Sequence, residues 1–144
     1  MITQEAPAPF KVAKIRPQLV SRGKITDKLL RTDKLGVTIQ VIAPNDGETN
    51  LHAHPGVDGA WIVVDGEARF YTTDDQEVAT LGKNEMVLIP GGTPYWFECT
   101  SSNPLVILHI SARLPGEDRP RMDYTPAHDS DSRREIIPGA FYEG

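Results

Sequence analysis

Short runs of alternating apolar and polar residues, separated by turn residues, are the feature that most constrains the fold of this chain. Between residues 36 and 112 these runs are about 4–8 residues long, and Gly, Pro, Asn or Asp lies between them. Because successive residues of a strand point to opposite faces, the pattern predicts an all-β domain of antiparallel strands, folded as a sandwich or barrel. The predicted strands are Val37–Ala43, Ala60–Val64, Ala68–Thr73, Met86–Ile89, Tyr95–Thr100 and Leu105–Ala112, with a hairpin turn at Asp65-Gly66.

The two ends of the chain differ from this central domain of residues 36–112. Residues 1–35 are predicted to be an N-terminal arm with one short element, and residues 24–36 favour either a short helix ending at Gly36 or two short strands. Residues 113–144 are predicted to be a C-terminal tail that packs on the barrel. The apolar end of this tail, Ile136–Tyr142, is expected to dock on the body or on a neighbouring subunit.

The composition fits one compact domain and excludes several classes of protein. The chain has 144 residues, of which 39% are hydrophobic, and this is enough for one buried core. The longest uncharged stretch, Cys99–Ala112, has 14 residues, whereas a membrane-spanning helix needs about 20. The first 20 residues lack an apolar signal region and the chain has one cysteine, so a cytoplasmic location is expected.

Charge is distributed unevenly along the chain. The net charge of −5 argues against a nucleic-acid partner, yet residues 1–35 carry 8 basic and 3 acidic side chains. This basic segment is interpreted either as an anion site or nucleic-acid arm, or as a segment that lies against the acidic body or a partner. The second interpretation is favoured because Phe10 is the one aromatic residue there available for base stacking.

Three histidines are the main candidates for a functional site. His52 and His54 are two positions apart, so on a strand both point to one face, where two imidazoles can bind one metal ion. A catalytic metal needs a third protein ligand, and His109 is one candidate. His109 and Ser111 share one face of an otherwise apolar strand, which indicates a polar pocket.

Two stretches resemble the conserved motifs of the cupin superfamily. Residues 47–66 read GETNLHAHPGVDGAWIVVDG, and residues 84–99 read NEMVLIPGGTPYWFEC. They are similar to the family's first motif, roughly G-x5-H-x-H-x3–4-E-x6-G, and its second, roughly G-x5-P-x-G-x2-H-x3-N. The resemblance covers about residues 36–112 and implies a double-sheet jelly-roll barrel. Cupin-like domains commonly pair through the outer sheet, and Ala60–Val64 is apolar on both faces, so a homodimer is predicted.

The resemblance also implies a metal site, which this chain keeps only in part. The family's usual ligands are two His and a Glu from the first motif and a His from the second. His52 and His54 match the first two, whereas Gly59 stands at the Glu position and Tyr95 at the second-motif His. Asp58 lies within the family's spacing for the third ligand, as an alternative to the downstream histidine. Whether a metal binds is left open, and any divalent metal at this site (Fe, Ni, Mn or Zn) is expected to bind weakly.

Other side chains are predicted to line the same pocket. Trp61 shares the inward face with Gly59 and offers a wall on which a planar ligand can stack, while the glycine leaves room for ligand volume. Gln40 gives its strand a polar side that faces the pocket or solvent. The Tyr95 hydroxyl is suited to donate to a substrate carbonyl or to act as a general acid, with His52, His54 or His109 as the base.

Three functions follow from these residues, and the sequence does not decide whether the protein is an enzyme. The first is a cupin that binds a small polar molecule in its barrel, as a lyase or isomerase that uses His and Tyr as acid–base groups with little or no metal. The second is a metal-dependent dioxygenase or isomerase. The third is a small-molecule binding protein without catalysis. Each implies a small-molecule ligand and neither a nucleic acid nor a membrane as partner.

Overall fold

A computed structural model describes residues 9–45, 49–126 and 134–144, and about half of these residues lie in β-strands, with no α-helix among them. No helix in the described part of the chain is long and apolar enough to cross a membrane. A single 3-10 turn, Thr73–Asp75, interrupts the strands. The strands are β1 (Gln18–Arg22), β2 (Lys24–Arg31), β3 (Leu35–Ile42), β4 (His52–Ala53), β5 (Val57–Asp65), β6 (Ala68–Tyr71), β7 (Glu77–Leu81), β8 (Met86–Ile89), β9 (Trp96–Cys99), β10 (Leu105–Arg113), β11 (Met122–Asp123) and β12 (Glu135–Phe141).

Two main sheets pack against each other. The larger has the strand order β2-β3-β10-β5-β8, and the smaller has the order β7-β6-β9. β1 pairs with β12 and β4 pairs with β11, and all of these pairings are antiparallel. The predicted all-β, antiparallel class is therefore confirmed. Strand pairing does not join the two main sheets into a closed ring within the described residues, so the predicted closure of the barrel is not seen.

The core lies between the two main sheets, and its residues occupy alternate positions along the strands. The inward residues of β5 and β10 meet the inward aromatic residues of the smaller sheet, and Phe70, Phe97 and Ile107 are at most 1% exposed. Trp61 and Tyr95 belong to the same cluster and extend it toward one end of the sheets. Trp61 and Tyr95 also line a cavity whose other inward-facing side chains are mostly polar.

The segment of residues 24–36 is not a helix. Residues 24–31 form β2, which pairs with β3 along most of its length, from Lys24 opposite Ile42 to Arg31 opposite Gly36. Of the two alternatives that the sequence left open, the helix is wrong and the strands agree with the structure, because a ladder of backbone hydrogen bonds to β3 outweighs the weak helical propensity of so short a segment. β2 lies before the boundary expected at residue 36, and it forms one edge of the larger sheet.

Asp65-Gly66 is a turn, but it does not close a hairpin. β5 pairs with β8 and β10 in the larger sheet, whereas β6 pairs with β7 and β9 in the smaller one. The chain therefore passes from one sheet to the other at this turn, and the predicted hairpin is wrong. Gly66 is needed there because its φ is +85° and a Cβ would lie 3.0 Å from the Pro104 carbonyl oxygen.

The outer face of the larger sheet is covered by the two ends of the chain. Val20, Val41 and Val106 are fully buried in a second apolar cluster on this face. β12 pairs with β1, so the apolar end of the tail docks on the chain's own body. Arg16 pairs with Glu143 at 2.6 Å and Arg22 with Glu135 at 3.3 Å, so part of the basic N-terminal segment lies against acidic residues of its own tail.

Candidate functional site

A cavity of about 350 Å³ lies at the polar end of the two sheets. β2 and β3 bound it on one side, and β4 and the start of β9 bound it on the other. Its lining includes all five ring side chains that the sequence predicted to contact a ligand, together with Gln40, whereas Asp58 does not line it. It also includes residues that the sequence did not single out. The lining residues are Lys24, Thr26, Lys28, Thr38, Gln40, Thr49, Asn50, His52, His54, Trp61, Tyr95, Phe97, His109 and Arg121.

Backbone pairing brings the predicted ring residues together. His52 and Tyr95 form an antiparallel bridge, in which the His52 N–H donates to the Tyr95 carbonyl at 3.1 Å and the Tyr95 N–H donates back at 2.9 Å. The His52 ring centroid lies 5.0 Å from that of His54 and 4.5 Å from that of Tyr95. Trp61 and His109 are directly opposed on β5 and β10, and their rings stack at 3.9 Å with 12° between their planes.

The hydrogen bonding of His52 fixes its tautomer. Its Nδ1 lies 2.6 Å from the carbonyl oxygen of Asn50, which can only accept a hydrogen bond, so Nδ1 carries the proton. The other ring nitrogen, Nε2, is then an acceptor. Burial lowers the pKa of His52 to about 4, so its imidazole is neutral at neutral pH.

The other two histidines and the tyrosine of the cavity are also neutral near pH 7. Burial lowers the pKa of His109 to about 4 and lowers that of His54. Burial raises the pKa of the Tyr95 hydroxyl to about 12. The positive charge of Arg121 acts in the same direction on His52 and His54. The cavity therefore holds three neutral imidazoles and a neutral phenol.

Gly59 has a different role from the one predicted. A Cβ at this position would lie 2.8 Å from Nε2 of His109. The space that the glycine leaves is therefore filled by the His109 ring, and the prediction that it holds ligand volume is wrong. A glycine here allows the imidazole of β10 to lie flat against Trp61.

Two buried polar atoms of the cavity-lining side chains lack a hydrogen-bond partner among the described residues. They are the acceptor Oε1 of Gln40 and the donor Nε1 of Trp61. Burial raises the pKa of the Tyr95 hydroxyl and the nearby Trp61 Nε1 partly offsets this rise, but the two groups make no hydrogen bond of normal geometry. A buried polar atom without a partner typically costs about 1–3 kcal/mol. Both atoms belong to residues that the sequence predicted as ligand-binding.

Cationic and amide side chains at the mouth of the cavity were missed by the sequence analysis. Lys24 and Lys28 lie on β2, which was predicted to lie outside the barrel. Lys24, Thr26 and Lys28 are polar residues at every second position, and this spacing is the signal that would have identified one face of a strand. Arg121 comes from the tail, where it donates to Asn50 Oδ1 at 2.5 Å and to Asp123 Oδ1 at 2.9 Å.

Asn50 ties this part of the tail to the cavity. It is 4% exposed, and its amide nitrogen donates to Asp123 Oδ1 at 2.8 Å and to the Thr125 carbonyl at 3.1 Å. These bonds hold residues 121–125 along β4, where Asp123 is paired with His52. Hydrogen bonds from Asn50 and Arg121 lower the pKa of the Asp123 carboxyl. The tail therefore helps to build the site.

The described residues do not fit the metal site that the resemblance implies. Asp58 is exposed, and its Oδ1 accepts a hydrogen bond from the Gly91 N–H at 2.8 Å, so it supports the turn after β8 instead of facing the cavity. In residues 9–45, 49–126 and 134–144, no three His, Cys, Asp or Glu side chains are grouped so that they would hold a metal ion. His52, His54 and His109 line one cavity but do not form such a group.

Comparison with solved structures shows the same fold in proteins of low sequence identity. A conserved protein with a double-stranded β-helix domain from Klebsiella pneumoniae is 17% identical, with a TM-score of 0.61 over 72% of this chain and 86% of that one. A conserved protein of unknown function from Streptococcus pyogenes is 18% identical, with a TM-score of 0.57 over 68% and 81%.

A third similar structure is the cupin domain of an XRE-family transcriptional regulator from Enterobacter cloacae. It is 22% identical, with a TM-score of 0.55 over 65% of this chain and 99% of that one. No curated protein matches the chain. The family model of the cupin domain matches residues 38–111, which is about half of the sequence and includes both motifs. The fold, the two motifs and this match together show that the chain belongs to the cupin family.

Proposed function

We propose that this cupin binds a small polar molecule in the cavity between its two sheets. The observation that carries the proposal is the pair of unpartnered buried atoms, Gln40 Oε1 and Trp61 Nε1, on side chains that line one cavity. Folded proteins rarely leave such atoms unpaired, so a molecule in the cavity, either a ligand or an ordered water, is expected to pair with them. A volume of about 350 Å³ suits a small ligand.

Binding is favoured over proton-transfer catalysis by the pKa values of the same groups. An efficient general acid or base has a pKa near the working pH. Burial moves the pKa of His52 to about 4 and that of Tyr95 to about 12, away from neutrality in opposite directions. The lyase or isomerase activity predicted from the sequence would require a ligand that moves these values back toward neutrality.

A metal-dependent reaction receives no support from the arrangement of the side chains. His52 has Nδ1 committed to Asn50, His109 is stacked on Trp61, and Asp58 lies outside the cavity. We therefore derive no step through a metal ion, and assign the imidazoles to hydrogen bonding with the ligand.

The proposal is tested with two separate single variants, in each of which one glutamine is replaced by methionine. Methionine has a side chain of similar length that lacks the amide donor and acceptor. In Gln40→Met the unpartnered Oε1 disappears, so the free energy of unfolding should stay constant or rise by up to about 1–3 kcal/mol, while ligand binding is lost. Gln18→Met is the matched control, because the Gln18 amide donates to the carbonyls of Ile137 at 2.7 Å and Ala140 at 2.8 Å.

The two variants should move in opposite directions. Gln18→Met removes the donor to the carbonyl oxygens of Leu19, Ile137 and Ala140, so it should lower the free energy of unfolding in urea by about 1–3 kcal/mol without changing ligand binding. Binding is measured by mass spectrometry of the molecules that copurify with each variant. If Gln40→Met destabilises the ligand-free protein as much as Gln18→Met does, or keeps the same copurified molecules, the proposed site is wrong.

A further inference from the structure

Arg121 is held in the cavity wall by one edge of its guanidinium group. Its Nε donates to Asp123 Oδ1 at 2.9 Å and its Nη2 donates to Asn50 Oδ1 at 2.5 Å. These two nitrogens form the side edge of a rigid planar group, so the two bonds together fix its plane. The Arg121 side chain is still 41% exposed, so part of it is accessible to a ligand.

The end edge of the same guanidinium group has donors to spare. Two of its five N–H bonds are used, which leaves three on Nη1 and Nη2 without a partner among the described residues. One N–H bond on each of these nitrogens runs parallel to the other, an arrangement that suits two neighbouring oxygen atoms. Arg121 lines the cavity, and after burial its charge is the second cause of the lowered pKa of His54.

The charge of Arg121 is already balanced within the protein. Asp123 lies 2.9 Å away, and hydrogen bonds from Asn50 and Arg121 lower the pKa of its carboxyl, so it stays ionised. Lys24 and Lys28 also line the cavity, but both interact with other groups of the protein, so neither is a free charge. A charged ligand would lose hydration without an unbalanced partner of opposite sign, so a neutral ligand is favoured.

The inner part of the cavity requires a ligand that both donates and accepts hydrogen bonds. His52 Nε2 and Gln40 Oε1 are acceptors, and Trp61 Nε1 is a donor. A hydroxyl group does both, whereas a carbonyl or ether oxygen only accepts. Several hydroxyl groups on one molecule therefore match the lining.

We propose, on the basis of the proposed function, that the ligand is a neutral polyhydroxylated molecule of monosaccharide size, a sugar or a polyol. Two neighbouring hydroxyl oxygens accept hydrogen bonds from the end edge of Arg121, and further hydroxyl groups pair with Gln40, His52 and Trp61. A cavity of about 350 Å³ is at the small end of the range for ligand sites, which suits a molecule of this size. Arg121 is thus a specificity-determining residue that the tail supplies.

The neutrality of the ligand is tested with probes that differ in one group. Sorbitol is compared with gluconate, glucose with glucuronate and glucosamine, and galactose with galacturonate and galactosamine. Dissociation constants at pH 7 are measured from the indole N–H signal of Trp61 in the NMR spectrum. At least one neutral probe should bind about tenfold or more tightly than each of its charged counterparts.

Two conservative variants test the role of Arg121. Arg121→Lys keeps the positive charge beside Asp123 but removes the end edge, so it should weaken binding of the best neutral probe about tenfold or more. Arg119→Lys is the matched control in the same tail, because Arg119 donates to the carbonyls of Gly116 and Asp118 and does not line the cavity. It should leave the dissociation constant unchanged.

Deoxy derivatives of the best neutral probe separate contact with the ligand from a structural role. At least one derivative should bind the unchanged protein about tenfold more weakly than its parent, and should lose no further affinity in Arg121→Lys, because the missing hydroxyl is one that Arg121 binds. An equal loss for the parent and for every derivative would show that Arg121 only positions the tail, and would contradict the contact.

The outcomes separate this inference from the proposed function. If a charged probe binds as tightly as its neutral counterpart, or if Arg121→Lys binds the best neutral probe as well as the unchanged protein does, this ligand assignment is wrong while cavity binding stands. If no neutral probe changes the Trp61 signal, the polyhydroxylated ligand is wrong. The Gln40→Met and Gln18→Met comparison then decides independently whether the cavity is a binding site.

Discussion

At the scale of single residues, the site depends on a contact between Gly59 and His109. The sequence predicted a pocket-facing position for each of these residues separately, because period-two alternation gives the face of each side chain. It did not indicate that the imidazole would occupy the space above the glycine. That depends on the register of β10 against β5, which joins residues about 50 positions apart and leaves no local signal.

Replacing this glycine should disturb the ring stack. In Gly59→Ala the new Cβ would lie 2.8 Å from His109 Nε2, so the ring must move away from Trp61. We expect a loss of about 1–3 kcal/mol in the free energy of unfolding and a change in Trp fluorescence. Gly82→Ala is the control, because its Cβ would meet Glu85 Oε1 at an ordinary 3.5 Å. Equal stability of both variants would contradict the contact.

The buried histidines predict how stability depends on pH. His52 and His109 have a pKa of about 4 in the folded protein, against an ordinary histidine pKa of 6.5 in the unfolded chain, so the unfolded chain binds more protons between these values. The free energy of unfolding should therefore be highest above about pH 6.5 and fall as the pH falls toward 4. From pH 7 to pH 5 the loss should be about 2 kcal/mol for each histidine.

A variant that cannot titrate tests the assignment. In His52→Asn the amide can still donate to the Asn50 carbonyl, so His52→Asn/His109→Asn should lose most of this slope in urea unfolding curves measured from pH 5 to pH 7. A slope as steep as that of the unchanged protein would place the titrating groups elsewhere.

At the scale of secondary-structure elements, strands were predictable where their pattern was regular. The predicted runs in residues 36–112 correspond to β3, β5, β6, β8, β9 and β10. For the segment of β2 the sequence left a helix and two short strands as alternatives, because Asp27 and the consecutive leucines Leu29 and Leu30 interrupt the alternation of apolar and polar residues. The structure has a register shift between Lys28 and Leu30, which is the physical origin of that irregular pattern.

β12 is expected to stabilise β1 in particular. β12 is the strand paired with β1, and it helps cover a face where Val20 is fully buried. Deletion of residues 135–144 should therefore expose the amides of β1 to hydrogen exchange, while those of β5 and β10 stay protected. Mass-spectrometric hydrogen exchange measures both regions in one experiment. Unchanged protection of β1 would show that it is held by the body without the tail.

At the scale of the whole molecule, the fold class could be predicted from the sequence, but the cavity could be predicted only in part. The HxH pattern, the strand alternation and the two motifs identified His52, His54, Trp61 and Tyr95, and these four side chains line one cavity. Lys24 and Arg121 come from opposite ends of the chain, and long-range pairing of β2 with β3 and of β11 with β4 brings them to the cavity. Such pairings are set by the complete sheet and not by any local pattern.

The homodimer stays a prediction. The structure moves its expected interface from the outer face of the larger sheet to the edge strand β8. β1 and β12 cover part of the outer face of the larger sheet, whereas Met86 and Leu88 on the edge strand β8 are 64% and 69% exposed. Sedimentation at micromolar concentration should give twice the mass of 15.9 kDa, and Met86→Glu/Leu88→Glu should give the monomer. A monomeric unmodified protein would contradict the prediction.

The central claim is that the cavity binds a small molecule through atoms that the protein leaves unpaired. The two tryptophans make one measurement decisive, because Trp96 Nε1 already donates to Asp75 Oδ1 at 3.0 Å while Trp61 Nε1 has no partner among the described residues. A proton–nitrogen NMR spectrum recorded during titration with a panel of small polar molecules shows both indole N–H groups at once. The Trp61 proton should move downfield as its hydrogen bond to the ligand forms, and the Trp96 proton should stay in place. Binding that leaves the Trp61 signal unchanged, or that moves only the Trp96 signal, would contradict the account.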